Sequence, residues 1–193
     1  LELVLDRVQS DLHQETYKQR RVYEMLQQAY QDWLSFDQQE TQLLAKDKIT
    51  LILEYLTQPT LSLDLMAYLF GSISSLRQSD DLDLGRLRQW LDRIDTNDVI
   101  ELFARLLAHQ NPQIRLGATK TIERLAVVEA ADLLAHRMKF EDDKEVRRAS
   151  LRCISRLGKR LPDELAQSLL DAAEDWLVQA YALQGLEQQS CLL

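Results

Sequence analysis

Apolar residues recur every three or four positions along most of the chain, a spacing that places them on one face of an α-helix. Only five Gly and three Pro interrupt the pattern, which favours an all-α fold. The pattern predicts amphipathic helices over residues 40–58, 60–76, 82–94 and 96–110. Residues 1–36 hold the same spacing, broken at Glu15 and Gln19, and a long helix or helical hairpin is favoured there over a coiled coil.

Three segments in the second half of the chain align when each is shifted by 32 residues. They read NPQIRLGATKTIERLA (111–126), DKEVRRASLRCISRLG (143–158) and DWLVQAYALQGLEQQS (175–190). Aliphatic, small and aliphatic residues coincide at Ile114, Val146 and Val178, then Ala118, Ser150 and Ala182, then Ile122, Ile154 and Leu186. This column, at i, i+4 and i+8, is the buried face of a helix with a small residue where a neighbouring helix approaches.

Second helices are predicted between these copies, over residues 126–140 and 162–174. Asn111 followed by Pro112 is typical of an N-cap and a first helical residue, and Pro162 can open the later second helix. Gly158 is placed to end the helix of the middle copy. Each unit is therefore a helix–turn–helix repeat that buries its apolar face against its neighbours.

These residues resemble the HEAT repeat, and the short period together with DDKEVRRAS is most similar to the HEAT-like repeats of the phycobilin-lyase type. The resemblance covers residues 96–190 and implies a right-handed α-solenoid preceded by an N-terminal helical segment. We expect an N-terminal helical region over 1–77 and a repeat array over 82–193, with RQSDDLD (77–83) as the linker.

The resemblance also implies a structural role for two arginines. Arg115 and Arg147 each follow the first aliphatic residue of a copy, where HEAT-like repeats place an arginine that pairs with an acid of the adjacent unit. Asp143 and Asp175, one period apart, are the acids expected to serve as partners, whereas the third copy has Gln179 in place of the arginine.

A second set of cations forms a stripe of its own. Arg148, Arg152 and Arg156 are four residues apart and face away from the apolar column, and one period earlier their positions hold Leu116, Lys120 and Arg124. Same-phase positions are adjacent in stacked repeats. We therefore define a basic strip, Lys120, Arg124, Arg148, Arg152 and Arg156, as a candidate partner-binding surface. The alternative is a solvated flank whose cations complement the helix dipole.

The net charge of −8 argues against general binding of nucleic acid, which needs a basic surface. Residues 1–96 carry 10 Lys or Arg against 16 Asp or Glu, and residues 97–193 carry 13 against 15. A basic surface is thus expected only locally, in the second half. The two cysteines suit a reducing compartment, and no apolar run approaches the length of a membrane span, so a cytoplasmic location is expected. The chain begins with Leu1 and is expected to be part of a longer protein.

Motifs for catalysis, metal binding or a cofactor are not found in the sequence, and we predict no catalytic residue, no metal site and no cofactor. The leading hypothesis is a non-enzymatic scaffold or interaction module for a protein partner with an acidic surface. One alternative, from the resemblance alone, is a bilin lyase-like or bilin-handling protein. A second alternative is a nucleic-acid-binding HEAT-like protein.

Overall fold

Every regular element is a helix in the computed structural model, which describes residues 2–36, 39–56, 61–76, 82–162 and 165–167. The α-helices are α1 Glu2–Ser35, α2 Lys46–Tyr55, α3 Leu63–Ser75, α4 Leu84–Leu91, α5 Thr96–Leu107, α6 Pro112–Leu125, α7 Ala131–Met138 and α8 Lys144–Arg156, and Glu40–Gln42 and Val128–Ala130 are short 3-10 helices. The predicted all-α fold is confirmed. Within the described residues, no helix is both long enough and apolar enough to cross a membrane.

The chain divides into two compact units, Leu1–Trp90 and Leu91–Leu193. In the first unit α1 is one continuous helix, as one of the two favoured alternatives had it, and it packs on α2 and α3. Tyr30 and Trp33 of α1 pack against Tyr68 of α3 with tilted rings, their centroids 5.7 and 5.2 Å from that of the Tyr68 ring. The Tyr68 hydroxyl donates a hydrogen bond to the backbone carbonyl of Gln42 (2.8 Å). The predicted linker falls mainly on residues 77–81, outside the described part, and the division at that linker stays a prediction.

The second unit is built from two layers of helices. α6 packs on α8 in one layer and α5 packs on α7 in the other, while α5 contacts α6 and α7 contacts α8 between the layers. The predicted column forms the core, since all six of its residues in the first two copies are buried: Ile114, Ala118, Ile122, Val146, Ser150 and Ile154. The third copy, 175–190, lies outside the described residues.

Helix ends follow the local sequence. The Asn111 side chain accepts a hydrogen bond from the Gln113 N–H (2.7 Å) ahead of Pro112, and the Asp143 side chain accepts from two backbone N–H groups of α8. These are the N-caps that satisfy otherwise unpaired donors. Gly158 has φ +68° just after α8, as predicted for a helix-ending glycine.

The second helix of the first repeat is shorter than predicted. α7 begins at Ala131 rather than at residue 126, because Ala126 has a left-handed backbone (φ 51°) that stops α6, and a 3-10 turn follows. Residues 125–128, LAVV, form a continuous apolar run. This run does not indicate a helix break, since alanine usually favours a helix. Of the predicted helix 162–174, the structure describes residues 165–167 beyond Pro162, and these are helical.

Candidate functional site

The basic strip spans two packed helices of neighbouring repeats. Lys120 and Arg124 lie one turn apart on α6, and Arg148, Arg152 and Arg156 lie at successive turns of α8. Because α6 packs against α8, the 32-residue period does place the two sets on adjoining helices. Lys120 and Arg156 are exposed, whereas Arg124, Arg148 and Arg152 are half-buried.

An acid lies between the two helices at the strip. Glu123 of α6 accepts hydrogen bonds at Oε2 from Arg152 Nε (3.3 Å) and Nη2 (3.1 Å), and at Oε1 from Arg156 Nη1. Its side chain is only 7% exposed, whereas those of Arg152 and Arg156 are 41% and 68% exposed. Two arginines of one repeat therefore hold a carboxylate of the preceding repeat, and the contact ties α6 to α8.

The repeat pattern alone does not identify Glu123 as a contact residue. It stands next to Arg124 and belongs to no repeated column, since the residue one period later is Ser155. The available signal was its position three residues after Lys120, which puts it beside the strip on α6. Its orientation toward α8 depends on how the two helices pack, which spacing within one helix does not determine.

Arg148 pairs with an acid on its own helix, unlike Arg152 and Arg156, which pair with Glu123 of α6. Its Nη1 donates to Glu145 Oε1 (2.9 Å), one turn earlier, and the Arg148 and Glu145 side chains are 38% and 68% exposed. The described contacts bring Glu123 and Glu145 to the strip, and the formal charges of these two acids and the five cations sum to +3. A local positive surface remains on a chain with a net charge of −8.

Arg115 joins two inter-repeat loops. Its Nε and Nη2 donate to the two oxygens of Glu141 (2.9 and 2.7 Å), and its Nη1 donates to the carbonyls of His109 (2.8 Å) and Gln110 (2.9 Å). The Arg115 and Glu141 side chains are 14% and 7% exposed. The hydrogen bond to Glu141 raises the pKa of Arg115 above its ordinary value. The α5–α6 loop and the α7–α8 loop are therefore connected by a bidentate, mostly buried ion pair.

Three other residues were expected to connect the repeats: Arg147, Asp143 and Asp175. Arg147 donates through Nε (3.2 Å) and Nη2 (2.6 Å) to the Glu141 backbone carbonyl. Asp143, expected as an ion-pair partner, is the N-cap of α8, and the bidentate partner of Arg115 is Glu141, two residues earlier. Asp175 lies outside the described residues.

The two inter-repeat loops have the same hydrogen bonds at a spacing of 32 residues. Arg115 donates to the carbonyl of His109, and Arg147 donates to the carbonyl of Glu141. The Asn111 N–H donates to His109 Nδ1 (3.1 Å), and the Asp143 N–H donates to Glu141 Oε1 (3.0 Å). His109 and Glu141 thus occupy one repeated position, a correspondence that the 32-residue shift could have revealed.

Cys153 lies in the core beneath the strip. It is fully buried, and it is a free thiol in the part of the chain that the structure describes. Burial, assisted by the nearby charge of Glu123, raises the pKa of Cys153 to about 12. Because the thiolate is the nucleophilic form, this environment suits a structural cysteine, as the apolar stripe predicted.

Two layers of helices and a loop geometry that recurs after 32 residues define a helical-repeat protein. The chain belongs to the HEAT repeats: the family model of that description matches residues 74–155 and 99–187. This confirms the HEAT-like resemblance, while the closer likeness to the phycobilin-lyase type stays a prediction. Searches of curated proteins and of solved structures gave no match.

Proposed function

We propose that this chain is a non-enzymatic interaction module whose basic strip binds an acidic surface of a partner protein. The observation that carries the proposal is the local charge of +3 on two packed repeats of a chain with net charge −8. Helical repeats present extended surfaces that suit protein recognition. A positive patch on a negative protein favours an acidic partner and accelerates its association.

The strip contains two kinds of cation, and this division guides the choice of variants. Arg152 and Arg156 hold Glu123 between the repeats, so changing them alters the packing of α6 on α8 as well as the surface. Arg148 pairs with Glu145 in an exposed i,i+3 contact, which contributes less than about 1 kcal/mol. A partner carboxylate can replace such a weak pair at small cost. Lys120, Arg124 and Arg148 do not hold Glu123, so these three positions are used to test binding.

The experiment is affinity capture from cells of the source organism with the triple variant Lys120→Glu, Arg124→Glu and Arg148→Glu. The matched control reverses three cations elsewhere, Arg21→Glu, Lys48→Glu and Lys139→Glu, so that both proteins carry a net charge of −14 instead of −8.

We expect a partner that wild type and control retain and that the strip variant loses, with retention falling as salt is raised. The partner's contact site should be acidic, as mapped by cross-linking. If the control loses the partner equally, or if the retained partner contacts another surface, the basic strip is not the binding site.

A further inference from the structure

The contact between Glu123, Arg152 and Arg156 is a carboxylate-binding site that the chain itself occupies. Two guanidinium groups from consecutive turns of α8 converge on one carboxylate, and both remain open to solvent on their outer sides. Arg152 uses Nε and Nη2 and Arg156 uses Nη1. Within the part of the chain that the structure describes, their other nitrogens have no protein partner. The arrangement can therefore accept a second acceptor from outside.

We propose that Glu123 is an internal competitor that limits the affinity of the strip for partner carboxylates, which dock on Arg152 and Arg156. The inference rests on the proposed function and names the chemistry of the partner's contact: Asp or Glu side chains in an acidic segment. The argument for a carboxylate is that Glu123 itself is one, held by three hydrogen bonds from these two side chains.

Charge and hydrogen bonding determine the direction of the effect. Glu123 cancels one of the two positive charges and engages three of the donors, so an incoming carboxylate meets a net charge of +1 and the outer donors only. Gln at this position keeps the size of the side chain and an acceptor oxygen that orients the arginines, but it removes the charge. The local attraction for an anion then increases.

The experiment titrates the full chain with a hexaglutamate peptide and follows binding by calorimetry or by the arginine Nε–H resonances. Glu123→Gln should bind the peptide about tenfold more tightly than wild type, because a unit charge a few ångströms from the bound anion has been removed. The matched control is Glu145→Gln, which removes the same charge from an exposed position of the strip beside Arg148. We expect it to change affinity less than about twofold, because solvent and salt screen an exposed charge.

Circular dichroism and urea unfolding show whether Glu123→Gln remains folded. Should it unfold, the wild-type chain supplies the test, since saturating peptide must shift the Arg152 and Arg156 Nε–H resonances more than that of Arg115. Adding Arg156→Gln to Glu123→Gln should abolish most of the gain in affinity.

Equal affinity of wild type and Glu123→Gln, or an equal gain in Glu145→Gln, would overturn the competitor role. This outcome is separate from failure of the proposed function. If the peptide binds Glu123→Gln more tightly but no cellular partner requires the strip, the proposed function fails and the competitor role stands. If a partner requires Lys120, Arg124 and Arg148 while Glu123→Gln leaves peptide affinity unchanged, the proposed function stands and the competitor role fails.

Discussion

Ala126 and Gly158 end α6 and α8 with the same backbone conformation, one repeat apart. Each has positive φ, 51° for Ala126 and 68° for Gly158. In each case the N–H of the following residue bonds a carbonyl five residues earlier, Val127 to Ile122 (3.0 Å) and Lys159 to Ile154 (3.1 Å). This is the Schellman motif, in which glycine is the favoured residue because it has no Cβ. Ala126 therefore holds a strained conformation that the repeat geometry imposes.

Exchanging the residues at these two positions tests this strain. Ala126→Gly should raise the free energy of unfolding by about 0.5–1 kcal/mol, since relief of the left-handed strain exceeds the added entropy of the unfolded chain. Gly158→Ala should lower it by about 1 kcal/mol, and no atom lies within 4 Å of the new Cβ, so the cost is conformational. Urea unfolding of the full chain measures both. A loss of stability in Ala126→Gly equal to that in Gly158→Ala would show that residue 126 is not left-handed.

Cys153 makes a second prediction at this scale, on pH dependence. Its pKa is raised from 9.0 to about 12 by burial, so the folded chain favours the neutral thiol. The stability from this group is complete below the ordinary pKa and is lost as pH rises from about 9 toward 12. Between pH 7 and pH 10 the wild type should therefore lose about 1 kcal/mol more stability than Cys153→Ala.

The measurement is urea unfolding of both proteins at the two pH values. The constant cost of the smaller alanine side chain cancels when each protein is compared with itself, as does the titration of Tyr68, which both share. Equal losses in the two proteins would contradict a raised thiol pKa.

At the scale of the helix and loop, the sequence predicted what one element determines by itself. The period of 32 placed Ile114 and Val146 in the core, and Asn111, Asp143 and Gly158 act at helix ends as their residue types indicate. Such features depend on local conformation and on the 3.6-residue turn, both of which are readable in one segment.

Contacts between elements are harder to predict from the sequence. Three acids, Glu141, Asp142 and Asp143, precede α8, and repeat alignment alone did not indicate which one faces back to Arg115. Asp143 is committed to capping, because its short side chain reaches the N–H groups of α8, whereas Glu141 has the length to reach the guanidinium of the previous repeat. Partner choice between helices requires their packing geometry, which the spacing does not contain.

The buried pair between Arg115 and Glu141 gives a prediction at this scale. Glu141→Gln leaves the charge of Arg115 buried without its counter-ion, and the free energy of unfolding should fall by about 3 kcal/mol. The matched control is Glu101→Gln, which breaks an exposed pair with Arg105 on α5 and should cost less than about 0.5 kcal/mol. Urea unfolding compares the two, and similar small losses would mean that the inter-repeat pair adds little to stability.

At the scale of the whole molecule, the charge of the strip opposes that of the remaining chain. The strip with its two acids has a charge of +3, so the other residues together carry −11. We expect the net negative charge of these other residues to repel a long polyanion more than a short acidic segment. We therefore expect the strip to bind a compact acidic site on a protein in preference to extended nucleic acid.

This difference yields the last prediction, which separates the two classes of partner. The hexaglutamate peptide should bind Glu123→Gln with an affinity that falls about tenfold between about 50 and 300 mM NaCl, because the Debye length shrinks across that range. A DNA duplex of about 30 base pairs should bind wild type and Glu123→Gln only weakly. At physiological salt its dissociation constant for each protein should be no lower than about 0.1 mM, the weak limit of non-specific DNA binding. Adding Lys120→Glu and Arg124→Glu to Glu123→Gln should weaken peptide binding, since these substitutions remove the cations next to residue 123 on α6. Tight duplex binding that these substitutions abolish would instead make the strip a nucleic-acid site, because the same cations would then neutralise phosphates.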